Sequence, residues 1–181
     1  MTSTFTHDLK IPKERIAVLI GKEGKVKAEL EEALKTSIFV DSHEGDVRLS
    51  GTDSVNIYIL KDIIKAIGRG FNPEIALQLL KTDYVIEIIS LSEFVKNPGQ
   101  IPRIKGRVIG KAGKARETIE ELTDTNISVY GKTITIIGFC DNVGICKRAV
   151  ETLLSGSPHA SVYTWLEKFR RQQKFEQLGG L

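Results

Sequence analysis

Two short segments carry the residues best suited to hold a ligand: Gly21-Lys22-Glu23-Gly24-Lys25 and Gly110-Lys111-Ala112-Gly113-Lys114. In each, two glycines frame a sharp turn, and without a Cβ the backbone can approach a partner closely. Each turn opens a stretch of helical period, whose unpaired N–H groups and dipole favour an anion. The lysines add mobile positive charge, so the chemistry is that of a phosphate seat. The chain has neither the Gly-x-x-x-x-Gly-Lys-Ser/Thr of nucleotide loops nor the Gly-x-Gly-x-x-Gly of dinucleotide folds. A phosphodiester backbone remains, with bases in an aliphatic groove beside the seat. That groove is expected from Val108, Ile109, Ile119, Ile127 and Val129, and in the first copy from Leu19, Ile20, Leu30, Ile38 and Val40.

The segments belong to an internal repeat. Ile20-Gly21-Lys22-Glu23-Gly24-Lys25 returns 89 residues later as Ile109-Gly110-Lys111-Ala112-Gly113-Lys114, and Glu31-Glu32, Thr36, Ile38 and Val40 find counterparts at the same offset. A spacing this long marks duplicated globular modules, not a short-period solenoid. Around each turn the pattern reads strand, helix, turn, helix, strand, strand, helix. In the first copy the strands are Thr6–Ile11, Ser37–Asp41 and Asp46–Ser50, with helices over Lys13–Ile20, after Gly24, and from Asp53-Ser54 to Ile67. In the second they are Tyr84–Leu91, Asn126–Tyr130 and Thr133–Ile137, with helices over Pro102–Ile109, after Gly113, and from Asp141 to Leu154. Each module is thus an α+β sandwich of a three-stranded sheet and three helices. The expected organisation is a first module over 1–70, a linker helix over 71–83, a second module over 84–154, and a C-terminal helix and tail over 155–181 that frays beyond Gln172.

Charge separates the two copies. The chain of 181 residues carries only +3 net, and residues 1–70 balance 11 basic against 11 acidic side chains. Residues 96–116, by contrast, hold Lys96, Arg103, Lys105, Arg107, Lys111, Lys114 and Arg116 with no acid. The second turn is therefore expected to be the main anion site, with Arg103, Lys105 and Arg107 beside it. The first, where Glu23 sits inside the turn, is expected to be secondary or turned toward protein.

Other chemistry finds little support. His7, His43 and His159 are scattered, with no His-Glu-x-x-His, Cys-x-x-Cys or clustered Asp set, so no catalytic residue, metal or cofactor is expected. Cys140 and Cys146 read as small reduced core residues, and Glu31, Glu32, Glu120 and Glu121 as solvated helix faces. No apolar run approaches the ~18 residues of a membrane span, no basic-then-apolar leader precedes Met1-Thr2-Ser3-Thr4, and two cysteines suit a reducing cytosol. The expectation is a cytoplasmic protein without a membrane partner.

The doubled motif resembles a pair of type I KH domains, in which Ile104-Lys105-Gly106-Arg107-Val108-Ile109-Gly110-Lys111-Ala112-Gly113 approximates Val-Gly-x-Ile-Ile-Gly-x-x-Gly. One position departs: Lys27 and Arg116 stand where most KH domains carry an aliphatic residue. Residues 118–125 and the segment Ser155-Gly156-Ser157-Pro158-His159-Ala160-Ser161-Val162-Tyr163 further resemble the partner-of-Nob branch of two-KH ribosome-assembly proteins. Lacking the long N-terminal extension of eukaryotic members, the chain is closer to the archaeal form. The resemblance implies single-stranded RNA bound through the loops, mainly the second, where Gly110, Lys111, Ala112 and Gly113 would clamp about four nucleotides, near the 3′ end of the small-subunit ribosomal RNA precursor. It also implies contact with a Nob-type endonuclease and with the α subunit of initiation factor two. The alternative is a protein-interaction scaffold in which RNA is incidental, docking through Trp165, Phe169, Arg170 and Arg171.

Overall fold

Alternating strands and amphipathic helices build the same order twice. A computed structural model describes residues 4–177 and 179. The chain starts with β1 (Phe5–Lys10) and α1 (Lys13–Ile20), passes the first glycine turn, and continues as α2 (Lys25–Leu34), β2 (Thr36–Asp41), β3 (Asp46–Gly51) and α3 (Ser54–Gly68). A short α4 (Pro73–Ala76) runs into a 3-10 turn over Leu77–Leu80 and packs against α3. The second series is β4 (Tyr84–Ser90), α5 (Ile101–Ile109), the second glycine turn, α6 (Lys114–Thr123), β5 (Thr125–Tyr130), β6 (Thr133–Phe139) and α7 (Cys140–Leu154), followed by α8 (His159–Gln177). The chain divides into two compact units, Met1–Thr82 and Asp83–Leu181.

Both sheets are antiparallel, ordered β1-β3-β2 and β4-β6-β5, so the strand following the glycine-turn helix lies at an edge in each. Register is equally parallel between the two: Ile38 faces Leu49 and Ile127 faces Ile136. The helices cover the face on which alternate residues are apolar. In the first unit Leu19, Leu30, Leu49, Leu60, Ile63 and Ile64 are fully buried. In the second, Val108, Ile119, Ile134, Ile136, Cys146 and Leu153 form the centre of the core, joined by Val162 and Leu166 of α8.

Local chemistry sets the ends of these elements. The Asp53 carboxylate accepts from the Val55 N–H at 2.8 Å and caps α3. Helices α2 and α6 both close on a left-handed residue that is not glycine, Lys35 at φ 51° and Asp124 at φ 50°. Glycines end the long helices, Gly70 at φ 101° and Gly156 at φ 104°.

The strands and helices of the two modules match the expected ones to within two residues, whereas the expected linker helix over 71–83 is only α4 and the 3-10 turn over Leu77–Leu80. Pro98 starts a 3-10 turn, Pro98–Gln100, just ahead of α5, and Leu91–Phe94 forms another; neither stood out in the pattern. Helix α8 continues past Gln172 to Gln177, where Gln173 donates to Asn142 Oδ1 at 3.2 Å. The expected fraying of Gly180 and Leu181 lies outside the described residues. Cys146 is buried as expected, but Cys140 opens α7 in an exposed position.

Candidate nucleic-acid interface

The two glycine turns have the same backbone. Gly21 and Gly110 take φ/ψ of 74°/175° and 73°/179°; Glu23 and Ala112 take 54°/27° and 53°/30°; Gly24 and Gly113 take 77°/9° and 80°/−1°. Within each pair the two glycines are needed for different reasons. A Cβ on Gly110 would stand 2.5 Å from Ala115 Cβ and 2.7 Å from its nitrogen, and one on Gly21 would stand 2.5 Å from Val26 Cγ2. The first glycine lets the turn press onto the helix that follows. A Cβ on Gly24 would meet nothing within 4 Å, and one on Gly113 only Glu117 Oε1 at 3.7 Å. The second glycine is required only by its positive φ and faces open space.

One expectation needs correcting at this point. The helix-start amides are not all bare. Each turn is a 3-10 turn in which Gly113 N–H donates to Gly110 O at 3.3 Å and Lys114 N–H to Lys111 O, as Gly24 and Lys25 do to Gly21 and Lys22. These hydrogen bonds are inherent in the tight turn and occupy two amides in each that the sequence suggested would be bare. Lys111, Ala112 and Lys114 are exposed, with Gly110 and Gly113 half-buried. Lys111 and Lys114 make no salt bridge among the described residues. In the first turn Glu23 Oε2 lies 4.0 Å from Lys25 Nζ, and both side chains are more than two-thirds exposed.

The basic residues of α5 divide between surface and structure. Arg103 is exposed. Lys105 Nζ donates to Gly131 O at 3.0 Å and so ties α5 to the turn between β5 and β6. Arg107 was expected on the ligand surface, but its guanidinium turns inward, donating from Nε to Leu153 O at 2.9 Å and from Nη2 to Ser157 O at 2.6 Å. Its own carbonyl meets His159 Nε2 at 2.7 Å. The first unit builds the same clamp from Arg15, which donates to Ile67 O at 2.7 Å and Phe71 O at 2.5 Å. The partners are backbone carbonyls exposed where a helix stops, as any late-helix carbonyl is. Residue types could not announce that, and the two arginines do not even occupy matching positions in the repeat.

The aliphatic groove also needs correcting. Val108 and Ile119 are fully buried and Ile127 is 3% exposed; Leu19, Leu30 and Ile38 are buried as well. They are core, and only Ile109, Val129, Ile20 and Val40 keep partial exposure. In their place, charged pairs stand over the edge strands. Glu120 Oε1 accepts the Ile127 N–H at 2.6 Å, while Oε2 lies 3.7 Å from Arg116 Nε. Glu31 Oε1 accepts the Ile38 N–H at 2.7 Å and pairs with Lys27 Nζ at 3.9 Å. Glu31 and Glu120 are therefore not solvated helix faces; each pins a helix to the edge strand beside it. Burial pushes the Glu120 carboxyl above its usual range, against the lowering effects of the Ile127 N–H and Arg116. The repeat held the signal: Lys27/Glu31/Ile38 and Arg116/Glu120/Ile127 recur at one offset, with base and acid four apart on a helix.

Helix α8 packs back on α6 and α7, with Val162 and Leu166 buried and Trp165 facing the Arg148 guanidinium, 5.1 Å from ring centre. Of the residues expected to dock a partner, Trp165 and Phe169 are half-buried, and Arg170 and Arg171 are exposed. Among the described residues no group of three or more His, Cys, Asp or Glu could hold a metal, and no helix is long and apolar enough to cross a membrane.

Comparison with known proteins agrees with this architecture. Residues 6–66 match a KH domain family, and residues 85–171 match a family described as eukaryotic-type KH domain, type I. The KH domain-containing protein MJ0443 of Methanocaldococcus jannaschii is 48% identical over 92% of this chain and 74% of its own length. The chain belongs to the Pno1/Dim2 family of KH proteins. A further relative is the pre-rRNA-processing protein pno1 of Aspergillus fumigatus, 29% identical over 93% of this chain and 70% of that protein. Among solved structures, one of an a/eIF2alpha–aDim2p–rRNA complex from Pyrococcus horikoshii superposes with a TM-score of 0.87 and 44% identity, covering 93% of this chain and 96% of that one. Dim2p from the same organism gives a TM-score of 0.85 and 45% identity over 91% of this chain and 99% of that one. Two tandem type I KH domains followed by a C-terminal helix are thus the fold, and the relatives are named for RNA binding and pre-rRNA processing.

Proposed function

We propose that this protein binds single-stranded RNA, gripping about four nucleotides at Gly110–Gly113, near the 3′ end of the small-subunit ribosomal RNA precursor. Lys111, Lys114 and Arg103 supply the charge, Ala112 and Gly113 the close approach, and Ile109 a half-buried aliphatic edge. Val108 and Ile127 support the site from the core, Lys105 and Arg107 from the α5 side. The loop at Gly21, Lys22, Glu23, Gly24 and Lys25 is secondary. One observation carries the ranking: two turns with superimposable dihedrals differ in that Glu23 puts a carboxylate in the first, where the second has Ala112 and two lysines without acidic partners.

The protein acts by binding, in the cytoplasm, with the working units at 1–70 and 84–154, the linker at 71–83 and the C-terminal helix and tail at 155–181. The α subunit of initiation factor two is a proposed partner because a 44% identical chain was solved in a complex with a/eIF2alpha and rRNA. A Nob-type endonuclease is proposed on family resemblance.

The test replaces Lys111 and Ala112 together by Asp. Position 112 is left-handed, φ 53°, a conformation that Asp tolerates, so the variant keeps its turn. Affinity for a single-stranded ribosomal 3′-end oligonucleotide is expected to fall at least about tenfold, roughly 1.4 kcal/mol. The same change at Lys22 and Glu23 costs less than about threefold, under about 0.7 kcal/mol. Equal losses overturn the ranking, and no loss in either overturns RNA binding by these loops. With roughly three to five phosphates neutralised, log K falls against log salt with a slope of about −2 to −4.

A further inference from the structure

The segment Ser155–Tyr163, which joins α7 to α8, takes no part in either glycine turn. Its residues Ser157, Ser161 and Val162 line a cavity of about 310 Å3 together with Arg148 and Trp165. That is within the ~300–1,000 Å3 of clefts that hold small ligands. No carboxylate lines it. Arg148 is exposed and makes no ion pair among the described residues, and its guanidinium lies 5.1 Å from the centre of the Trp165 ring. The Ser157 and Ser161 hydroxyls make no hydrogen bond among the described residues. Helix α8, 19 residues long, starts at the cavity, and its first-turn N–H groups favour an anion there. The cavity wall is tied to the helix that enters the second turn, because Ser157 O accepts from Arg107 Nη2 at 2.6 Å. The first unit has no counterpart. The ninth residue of α3 is Asp62, 3.6 Å from Lys61, where α7 has Arg148, and the helix after α3 has only four residues.

We propose that this cavity is a second nucleotide subsite, separate from the glycine turns, in which one base stacks on Trp165 and its phosphate is held by Arg148 and the Ser157 and Ser161 hydroxyls. This rests on the RNA-binding reading above. The chemistry divides into two halves. An indole face offers a stacking platform that any base can use. The guanidinium and hydroxyls offer donors without a competing acid, which suits a phosphate and not a cation. Arg148 does not block the platform, since an exposed cation over a ring is weakly held and its side chain can swing from the indole to the phosphate. An acidic protein segment would use the same donors but has no flat ring to set on Trp165, so a nucleotide satisfies more of the cavity. Because stacking does not discriminate between bases, the subsite adds length and affinity to the grip, and no sequence preference. It is the weaker of the two RNA contacts of the second unit, with one phosphate against the several at the turn.

Trp165 is the sole tryptophan of the chain, so its emission reports on this cavity alone. Titrating the full chain with the octanucleotide rA8 is expected to quench that emission. AMP quenches it at higher concentration, and adenosine, lacking the phosphate, less than AMP. Arg148→Gln keeps the fold, being an exposed change, and is expected to weaken the AMP response by about tenfold, as for one charge-assisted contact. Trp165→Leu is expected to lower rA8 affinity by about tenfold, the loss of one stacked base, read by anisotropy of labelled RNA. Should Trp165→Leu fail to fold, Arg148→Gln and the wild-type quench carry the test. Emission unchanged by saturating rA8 and AMP overturns the subsite, as does an AMP response that Arg148→Gln leaves intact. Quenching by an octaglutamate peptide as strong as that by rA8 also overturns it, in favour of an acidic protein segment. The Lys111/Ala112→Asp variant separates this proposal from its parent: it lowers rA8 affinity and leaves the AMP quench as in the wild type. Unchanged rA8 affinity in that variant sinks the role of the loops, whereas loss of the AMP quench there sinks the separate subsite.

Discussion

The two glycine turns share a backbone and differ in charge, and that contrast separates what the fold requires from what binding requires. Gly21 and Gly110 are held by contact with Val26 and Ala115, and Gly24 and Gly113 by their positive φ. None of these constraints involves a ligand, so a duplicated turn would persist in a copy that had lost its partner. The residues between the glycines are exposed and free of packing constraint. Glu23 against Ala112 is therefore the more informative difference, because only a ligand would notice it.

The largest effect expected on this comparison is one of stability, and it falls equally on both turns. Gly110→Ala and Gly21→Ala each combine a left-handed alanine with a Cβ overlap, and should lose about 2–4 kcal/mol in denaturant unfolding. Gly113→Ala and Gly24→Ala meet only the backbone penalty, about 1 kcal/mol. A first-position substitution no worse than a second-position one would break the packing account. Next comes Arg107→Met, which leaves the carbonyls of Leu153 and Ser157 without their donor and should cost about 1–3 kcal/mol. RNA affinity should stay within about threefold of wild type, under about 0.7 kcal/mol. A tenfold loss of binding with an unchanged melting temperature would return Arg107 to the RNA surface.

Smaller effects sharpen the difference between the loops. In the Lys111/Ala112→Asp background, Glu23→Ala should recover about two- to threefold in affinity, as expected for one exposed charge, and a titration at low salt would read it. No recovery would mean that charge is not what silences the first loop. The smallest effect concerns the thiols. Burial pushes Cys146 up to about 11, so in the native chain it stays protonated at pH 8 and inaccessible, whereas Cys140 is exposed. One thiol should be alkylated in native protein and two in denaturant. The sign of the linkage follows: the unfolded thiol ionises from about 9.0 and the folded one only near 11, so stability from this group falls as pH rises through that window. Replacing Cys146 by Val should flatten that fall in a melting series.

Much of this was legible in the sequence because it was written twice. Helix and strand positions followed from periodicity and glycine stops, and the repeat aligned the turns without any structure. What stayed hidden has a common cause. Aliphatic residues such as Val108, Ile119 and Ile127 look the same whether they line a groove or fill a core, and in the folded chain they are buried. Arg15 and Arg107 bond to backbone carbonyls, which have no residue type to detect. Glu31 and Glu120 resembled ordinary solvated acids because their partner, an edge-strand N–H, is likewise anonymous in sequence.

The most direct measurement is a titration of single-stranded RNA into the nitrogen-15-labelled full chain, followed by amide NMR. The account predicts that the amides of Gly110–Arg116 and of β5 shift first and furthest, with those of Gly21–Lys27 moving later and less. Shifts led by the first loop, or equal in the two, would contradict it.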